Sequence, residues 1–184
     1  MRINTGNAIK LFFSNPSLEL VYIESIANAI DAGATLINIK IRLESFSKAE
    51  TLGITIQDNG DGFNNKNFTK FSQLLEVEEE GHKGIGRLVF LNYFKEVFVS
   101  SDYEGNTRVF TFSEKFDGEN IIKPAQSQKN KTTLSMQGYR KNKINSYDYL
   151  KPLAIKKAIL LHFFPLFYSL KMEKKKLIIK ILSS

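Results

Sequence analysis

Apolar and polar positions follow two rhythms along this chain. From Leu18 to Ala32 the apolar residues Leu20, Ile23, Ile26, Ala27 and Ile30 recur at helical spacing. Ser17 stands where an N-cap belongs, Glu19 lies in the favourable first turn, and Gly33 follows as a C-cap glycine. Leu36 to Leu43 alternates residue by residue, which predicts a half-buried strand. Leu52 to Asp58 predicts a second strand that carries Asp58 to its end. Asn59 to Asn67 is rich in Gly, Asn and Asp and reads as a loop. A short helix is predicted over Phe68 to Leu75, then an acidic connector over Glu76 to Glu80. Gly84 to Phe94 reads as a glycine loop running into a helix. Val97–Ser100, Arg108–Phe112 and Thr132–Met136 read as strands. Tyr149 to Tyr168 reads as a long helix kinked at Pro165, and Lys176 to Ile181 as a last strand.

These elements predict an α+β fold: a mixed sheet with helices on one face. No internal repeat or low-complexity linker divides the chain, and Gly138–Ser146 is the one short seam. A single domain over residues 1–184 is the economical expectation.

Composition narrows the classes. Apolar residues make up 42% of the chain, with 15 Phe, which suits a packed core. There is no cysteine, so disulfide frameworks and thiolate zinc sites are excluded. A reducing, cytoplasmic compartment is expected. The start carries no signal-peptide pattern. Ala158 to Leu170 is the most hydrophobic stretch, but a bilayer span needs about 20 apolar residues. It reads as a buried core helix, and no membrane partner is expected. Charge is uneven: residues 1–138 hold 15 Lys+Arg against 17 Asp+Glu, and residues 139–184 hold 11 against 2. The basic segment is either a solvated face or an attractor for nucleic acid or an acidic partner.

Three segments carry candidate chemistry. In Glu24-Ser-Ile-Ala-Asn28-Ala-Ile-Asp31-Ala32, Glu24, Asn28 and Asp31 share one helix face. A carboxylate one turn before an amide suits a water-activating base beside a magnesium ligand, since magnesium takes oxygen ligands and keeps several waters. The same residues also suit a solvated helix face. Asp58-Asn-Gly60-Asp-Gly62 places a carboxylate at a strand end, followed by glycines that allow close approach. It can accept a hydrogen bond from an exocyclic amine, or it is an ordinary turn. Gly81-His-Lys83-Gly84-Ile85-Gly86 precedes the apolar run Leu88–Leu91, so backbone N–H groups there can cradle an anion, with Lys83 and Arg87 adding charge. It matches neither the P-loop nor the dinucleotide fingerprint. Thr132 opens a later strand and can assist Asp58, directly or through water.

Taken in order, the three segments resemble the motifs of the GHKL ATPases: DNA gyrase, large heat-shock chaperones, sensor histidine kinases, MutL and the MORC proteins. Residues 24–32, 58–62 and 81–86 match those motifs without a mismatch. The resemblance implies a Bergerat-type two-layer α/β sandwich, with a mixed, mostly antiparallel sheet. It implies ATP as ligand and magnesium as cofactor. Glu24 is implied as the general base, Asn28 as the metal ligand, Asp58 as the adenine reader helped by Thr132, and Gly62 as a wall of the pocket. Asp31, Gly60, Lys83, Gly84, Ile85 and Gly86 complete the implied nucleotide contacts. The intact Glu24 and Ala-x-Asp-Ala ending resemble the hydrolysing branch rather than the sensor kinases. The short segment from Phe63 to Glu80 is more similar to the lid of MORC or MutL proteins than to that of chaperones. The resemblance further implies a nucleotide-dependent homodimer, and a downstream domain that makes this chain the N-terminal part of a longer protein.

Overall fold

The computed structural model describes residues 17–72 and 86–183. The elements run α1 (Glu19–Asp31), β1 (Leu36–Arg42), β2 (Gly53–Asp58), α2 (Asn65–Ser72), α3 (Leu88–Tyr93), β3 (Phe94–Tyr103), β4 (Asn106–Ser113), β5 (Ile121–Pro124), β6 (Lys131–Tyr139), α4 (Pro152–His162), α5 (Phe164–Met172) and β7 (Ile178–Ser183). The strands form one seven-stranded sheet in the order β5-β4-β3-β6-β2-β1-β7. β7 runs parallel to β1, and every other pairing is antiparallel. The fold is α+β with a mixed, mostly antiparallel sheet, as predicted.

Strand register arranges the buried face into rows, because residues directly opposite each other point to the same side. One row runs Ile41–Ile54–Met136–Val97–Phe112. The next runs Ile39–Ile56–Leu134–Val99–Phe110. Both are apolar, and with Tyr22 and Ile26 of α1, Leu88 and Leu91 of α3, and Ile155 and Ile159 of α4 they make the core. The third row runs Ile37–Asp58–Thr132–Ser101–Arg108 and is polar across four strands. All five of its residues are buried.

Several elements differ from their sequence reading. In α1 the deepest positions are Val21, Tyr22, Ser25, Ile26 and Ala29, while Leu20 is exposed. The stripe is rotated because Tyr22 points inward and donates its hydroxyl to Tyr149 O at 2.7 Å, which leaves Glu24 and Asn28 on the outer side. Ser17 Oγ accepts from Glu19 N at 3.2 Å, a local bond from one residue before the N-cap position Leu18. α2 begins at Asn65, three residues before its expected start, because the Asn64 side chain accepts from Asn67 N at 2.9 Å. β5 was not foreseen: all four of its residues are exposed, so no apolar alternation announces it.

The long C-terminal helix is two helices meeting at 73°. Pro165 lacks an N–H and its ring would clash with the carbonyl four residues back, so α4 stops at His162 and Pro165 sits in the first turn of α5. The bend leaves α5 at the surface, with Phe167 half-buried against the core. No residue of α5 is buried, which corrects the reading of Ala158–Leu170 as a core helix. Among the described residues no single helix is long and apolar enough to cross a membrane.

Candidate functional site

Asp58 closes β2 at the polar end of the buried face and is 8% exposed. Its Oδ1 accepts from Gly60 N at 2.9 Å. Burial pushes its carboxyl above the usual aspartate range, and the Gly60 bond opposes that only in part. Next along the row, Thr132 Oγ1 and Ser101 Oγ share a hydrogen bond of 2.9 Å. Ser101 Oγ also accepts from Phe63 N at 2.9 Å. Asp58 and Thr132 lie directly opposite each other on β2 and β6.

The glycines after Asp58 sit where side chains do not fit. A Cβ on Gly60 would lie 2.6 Å from Ala32 O, and Asp61 N donates to that same oxygen at 2.8 Å. Gly62 has φ +69°, and a Cβ there would lie 2.5 Å from Ser101 Oγ and 3.3 Å from Thr132 Oγ1. Its carbonyl accepts from Asn67 Nδ2 at 2.8 Å. Asn59 ties the turn to β1, accepting from Thr35 N at 2.9 Å and Leu36 N at 2.8 Å. The second motif is thus packed against the last residue of the first.

Glu24 is half-buried and Asn28 is exposed. Asn28 Nδ2 donates to Glu24 Oε1 at 3.2 Å. Asn28 Oδ1 takes no part in that bond. Burial raises the Glu24 carboxyl above its usual range; the Asn28 amide and the Arg87 charge pull it down, and the Asp31 charge pushes it up. Asp31 is exposed and enters the site through this charge. A Cβ on Gly86 would overlap the Glu24 carboxylate, so the end of the third motif lies directly against the first. Lys83, Gly84 and Ile85 lie outside the described residues, as do Gly81 and His82.

Arg87, expected to add charge near the third motif, acts on Glu24 through its charge and is held from the side of α2. Its guanidinium donates to Phe71 O at 3.0 Å and lies 4.4 Å over the Phe71 ring. Burial lowers its pKa to about 10, so it stays cationic at neutral pH. Ser101 was missed because the expected strand ended at Ser100; Arg108 stood inside the expected strand Arg108–Phe112 but was not singled out. Extending the alternation of Val97 and Val99 by one step puts the Ser101 hydroxyl on the core face.

Among the described residues no group of three His, Cys, Asp or Glu can hold a metal. Magnesium does not need such a cage, because it is commonly held by one or two side chains, waters and substrate phosphates. The free oxygen of Asn28 beside Glu24 fits that donor set.

Residues 16–145 match the family described as histidine kinase-, DNA gyrase B-, and HSP90-like ATPase. None of the curated proteins matches the chain. Among solved structures, the fold is similar to one titled as the N-terminal domain of a DNA repair protein, with a TM-score of 0.51 and 18% identity. The likeness covers 91% of this chain and 44% of that one, and it concerns the fold alone. The matched segment takes in Glu24, Asn28, Asp58, Gly62, Gly86 and Thr132, and on that match the chain belongs to the histidine kinase-, DNA gyrase B-, and HSP90-like ATPase family.

Proposed function

We propose that this domain binds ATP with magnesium and hydrolyses it, and that turnover drives a conformational or dimerisation cycle. The observation that carries the reading is the meeting of three motifs distant in sequence: Glu24 against Gly86, Ala32 against Gly60, and Gly62 against Ser101 and Thr132. In this reading Asp58 accepts from the adenine exocyclic amine, with Thr132 beside it. Gly60 and Gly62 let the backbone close on the base. Lys83, Gly84, Ile85 and Gly86 receive the phosphates.

Asn28 Oδ1 would hold magnesium, which neutralises phosphate charge when bound. Glu24 orients a water and takes its proton as the water oxygen bonds to the γ-phosphorus. The bond from that phosphorus to the β–γ bridging oxygen breaks, and the electron pair leaves with ADP. Positioning and charge stabilisation are most of what such a transfer asks of a protein.

The test is calorimetric titration of a non-hydrolysable ATP analogue, with and without magnesium, into wild type and Asp58→Asn. Magnesium-dependent binding by the wild type and its loss in Asp58→Asn is the expected result. Unchanged affinity in the variant removes Asp58 from the role of base reader.

A second reading has its own observation. Lys156, Lys157, Lys171, Lys174, Lys175, Lys176 and Lys180 are all exposed within the basic segment 139–184. In this reading the domain is an ATP-gated switch with little intrinsic hydrolysis, and the basic segment contacts nucleic acid. Such binding would weaken steeply with salt. Absence of DNA binding at low salt would remove it.

A further inference from the structure

Arg108 is 2% exposed, and no carboxylate pairs with it among the described residues. Its Nε is buried without a hydrogen-bond partner among the described residues. A buried cation of this kind is costly to fold, and an apolar side chain of similar volume is often no less stable in its place. Charge pairing therefore gives no account of this residue.

Its contacts point elsewhere. Arg108 lies opposite Ser101 in the polar row, so it projects to the same side of the sheet as the nucleotide residues. Nη1 donates to Asn64 O at 3.4 Å and Nη2 to Asn65 Oδ1 at 2.5 Å. The guanidinium lies 4.4 Å over the Phe68 ring and 5.5 Å over that of Tyr103. It thus grips the first turn of α2 from beneath. A parallel grip comes from Arg87, whose guanidinium lies 4.4 Å over Phe71, three residues further along the same helix.

What α2 carries is the wall of the pocket. Asn67 binds Gly62 O, Phe63 N binds Ser101 Oγ, and Gly62 leaves no room for a Cβ against Ser101. We propose that Arg108 is a positioning residue for the nucleotide site: it fixes Gly62–Asn67 against the Ser101–Thr132 pair and so sets how tightly the base is bound. The inference rests on the reading of Asp58 and Thr132 as the base site. Lysine is no substitute here, because it lacks the planar fork that bonds two acceptors while stacking on a ring.

The test titrates ADP and a non-hydrolysable ATP analogue into the full chain as wild type, Arg108→Met, Asn65→Ala and the double variant, with Asp58→Asn as control. Arg108→Met should weaken both nucleotides by the same factor, roughly tenfold, the loss expected for hydrogen bonds from a charged group. Its melting temperature should be unchanged or higher. Asn65→Ala should weaken binding several-fold, and adding it to Arg108→Met should cost nothing more, because both act through one contact. Asn65 is exposed, so its variant keeps the test open even where Arg108→Met fails to fold. Additive losses, a larger loss for the ATP analogue than for ADP, or full affinity in Asn65→Ala each overturn the inference. Full affinity in Arg108→Met beside lost affinity in Asp58→Asn overturns it while leaving the nucleotide reading intact. No binding by the wild type overturns both.

Discussion

Two neighbouring parts of the same buried face behave in opposite ways. The rows through Ile54 and Ile56 are apolar from strand to strand and meet the helices in a dry core. One step along the strands, the row through Asp58 places a carboxylate, two hydroxyls and a guanidinium at the same depth. Burial stabilises the first group and is costly for the second, since polar and charged groups give up water there. The same sheet therefore holds the fold together at one end and keeps unfavourable groups in place at the other. Such a division is the general mark of a binding site built on a rigid scaffold.

Substitutions at the two ends should separate activity from stability. The largest effect is expected at Glu24, on the helix above the polar end. Glu24→Ala should lower the hydrolysis rate by about 10²–10⁴-fold, the range for loss of a general base, with nucleotide affinity retained. Gly86→Ala should act in the same direction, because its methyl group takes the place of the Glu24 carboxylate. That carboxylate is the end of a flexible side chain, so the fold can accommodate the change while the base moves out of line. Normal steady-state hydrolysis by Glu24→Ala would falsify the assignment of the base.

The next effect belongs to the apolar rows. Ile54 is fully buried between Ile41 and Met136. Ile54→Ala should lower stability by about 2–5 kcal/mol, through lost transfer energy and the cavity left behind. Denaturant unfolding measures this, and nucleotide affinity at a temperature where the variant stays folded should match the wild type. If affinity falls as steeply as stability, the two ends of the face are not separable and the contrast fails.

The sequence made the apolar rows and half of the polar row legible, for a physical reason. Ile37, Ile39, Ile41, Ile54 and Ile56 alternate locally, and local alternation states which side of a strand is buried. Asp58 was readable because it interrupts that alternation at a strand end. The buried side of Ser101 and Arg108 was within reach of the same alternation, but their place in one row with Asp58 was not, since it comes from register across β6, β3 and β4, which no short window contains. α5 shows the converse. Its apolar composition suggested a core helix, yet Phe164 is 64% and Leu161, near the end of α4, 70% exposed. Where a helix lies depends on the turn before it, and here the 73° bend at Pro165 leaves α5 without a fully buried residue.

The smallest expected effect tests the contrast at one atom pair. Burial holds the Asp58 carboxyl above its usual range, so the folded chain binds that proton more tightly than the unfolded chain does. The stability this contributes is fully present below the ordinary aspartate value, about 3.9, and is lost as pH rises through the higher folded value. At neutral pH the ionised carboxylate therefore lowers the stability of the ligand-free fold. Asn at this position keeps an oxygen for Gly60 N and carries no charge. Asp58→Asn should then melt above the wild type at pH 7. The difference should shrink as the buffer is taken below the aspartate range, where the wild-type carboxyl is itself neutral. Added ADP should reverse the order, because an amine donor on the base repays the ionised carboxylate and only the wild type gains it. Thermal melts across pH, with and without ADP, decide the matter. A variant that is less stable than the wild type at pH 7 would mean that Asp58 belongs with the residues that hold the fold, and that the polar end of the sheet is not where stability is given up for binding.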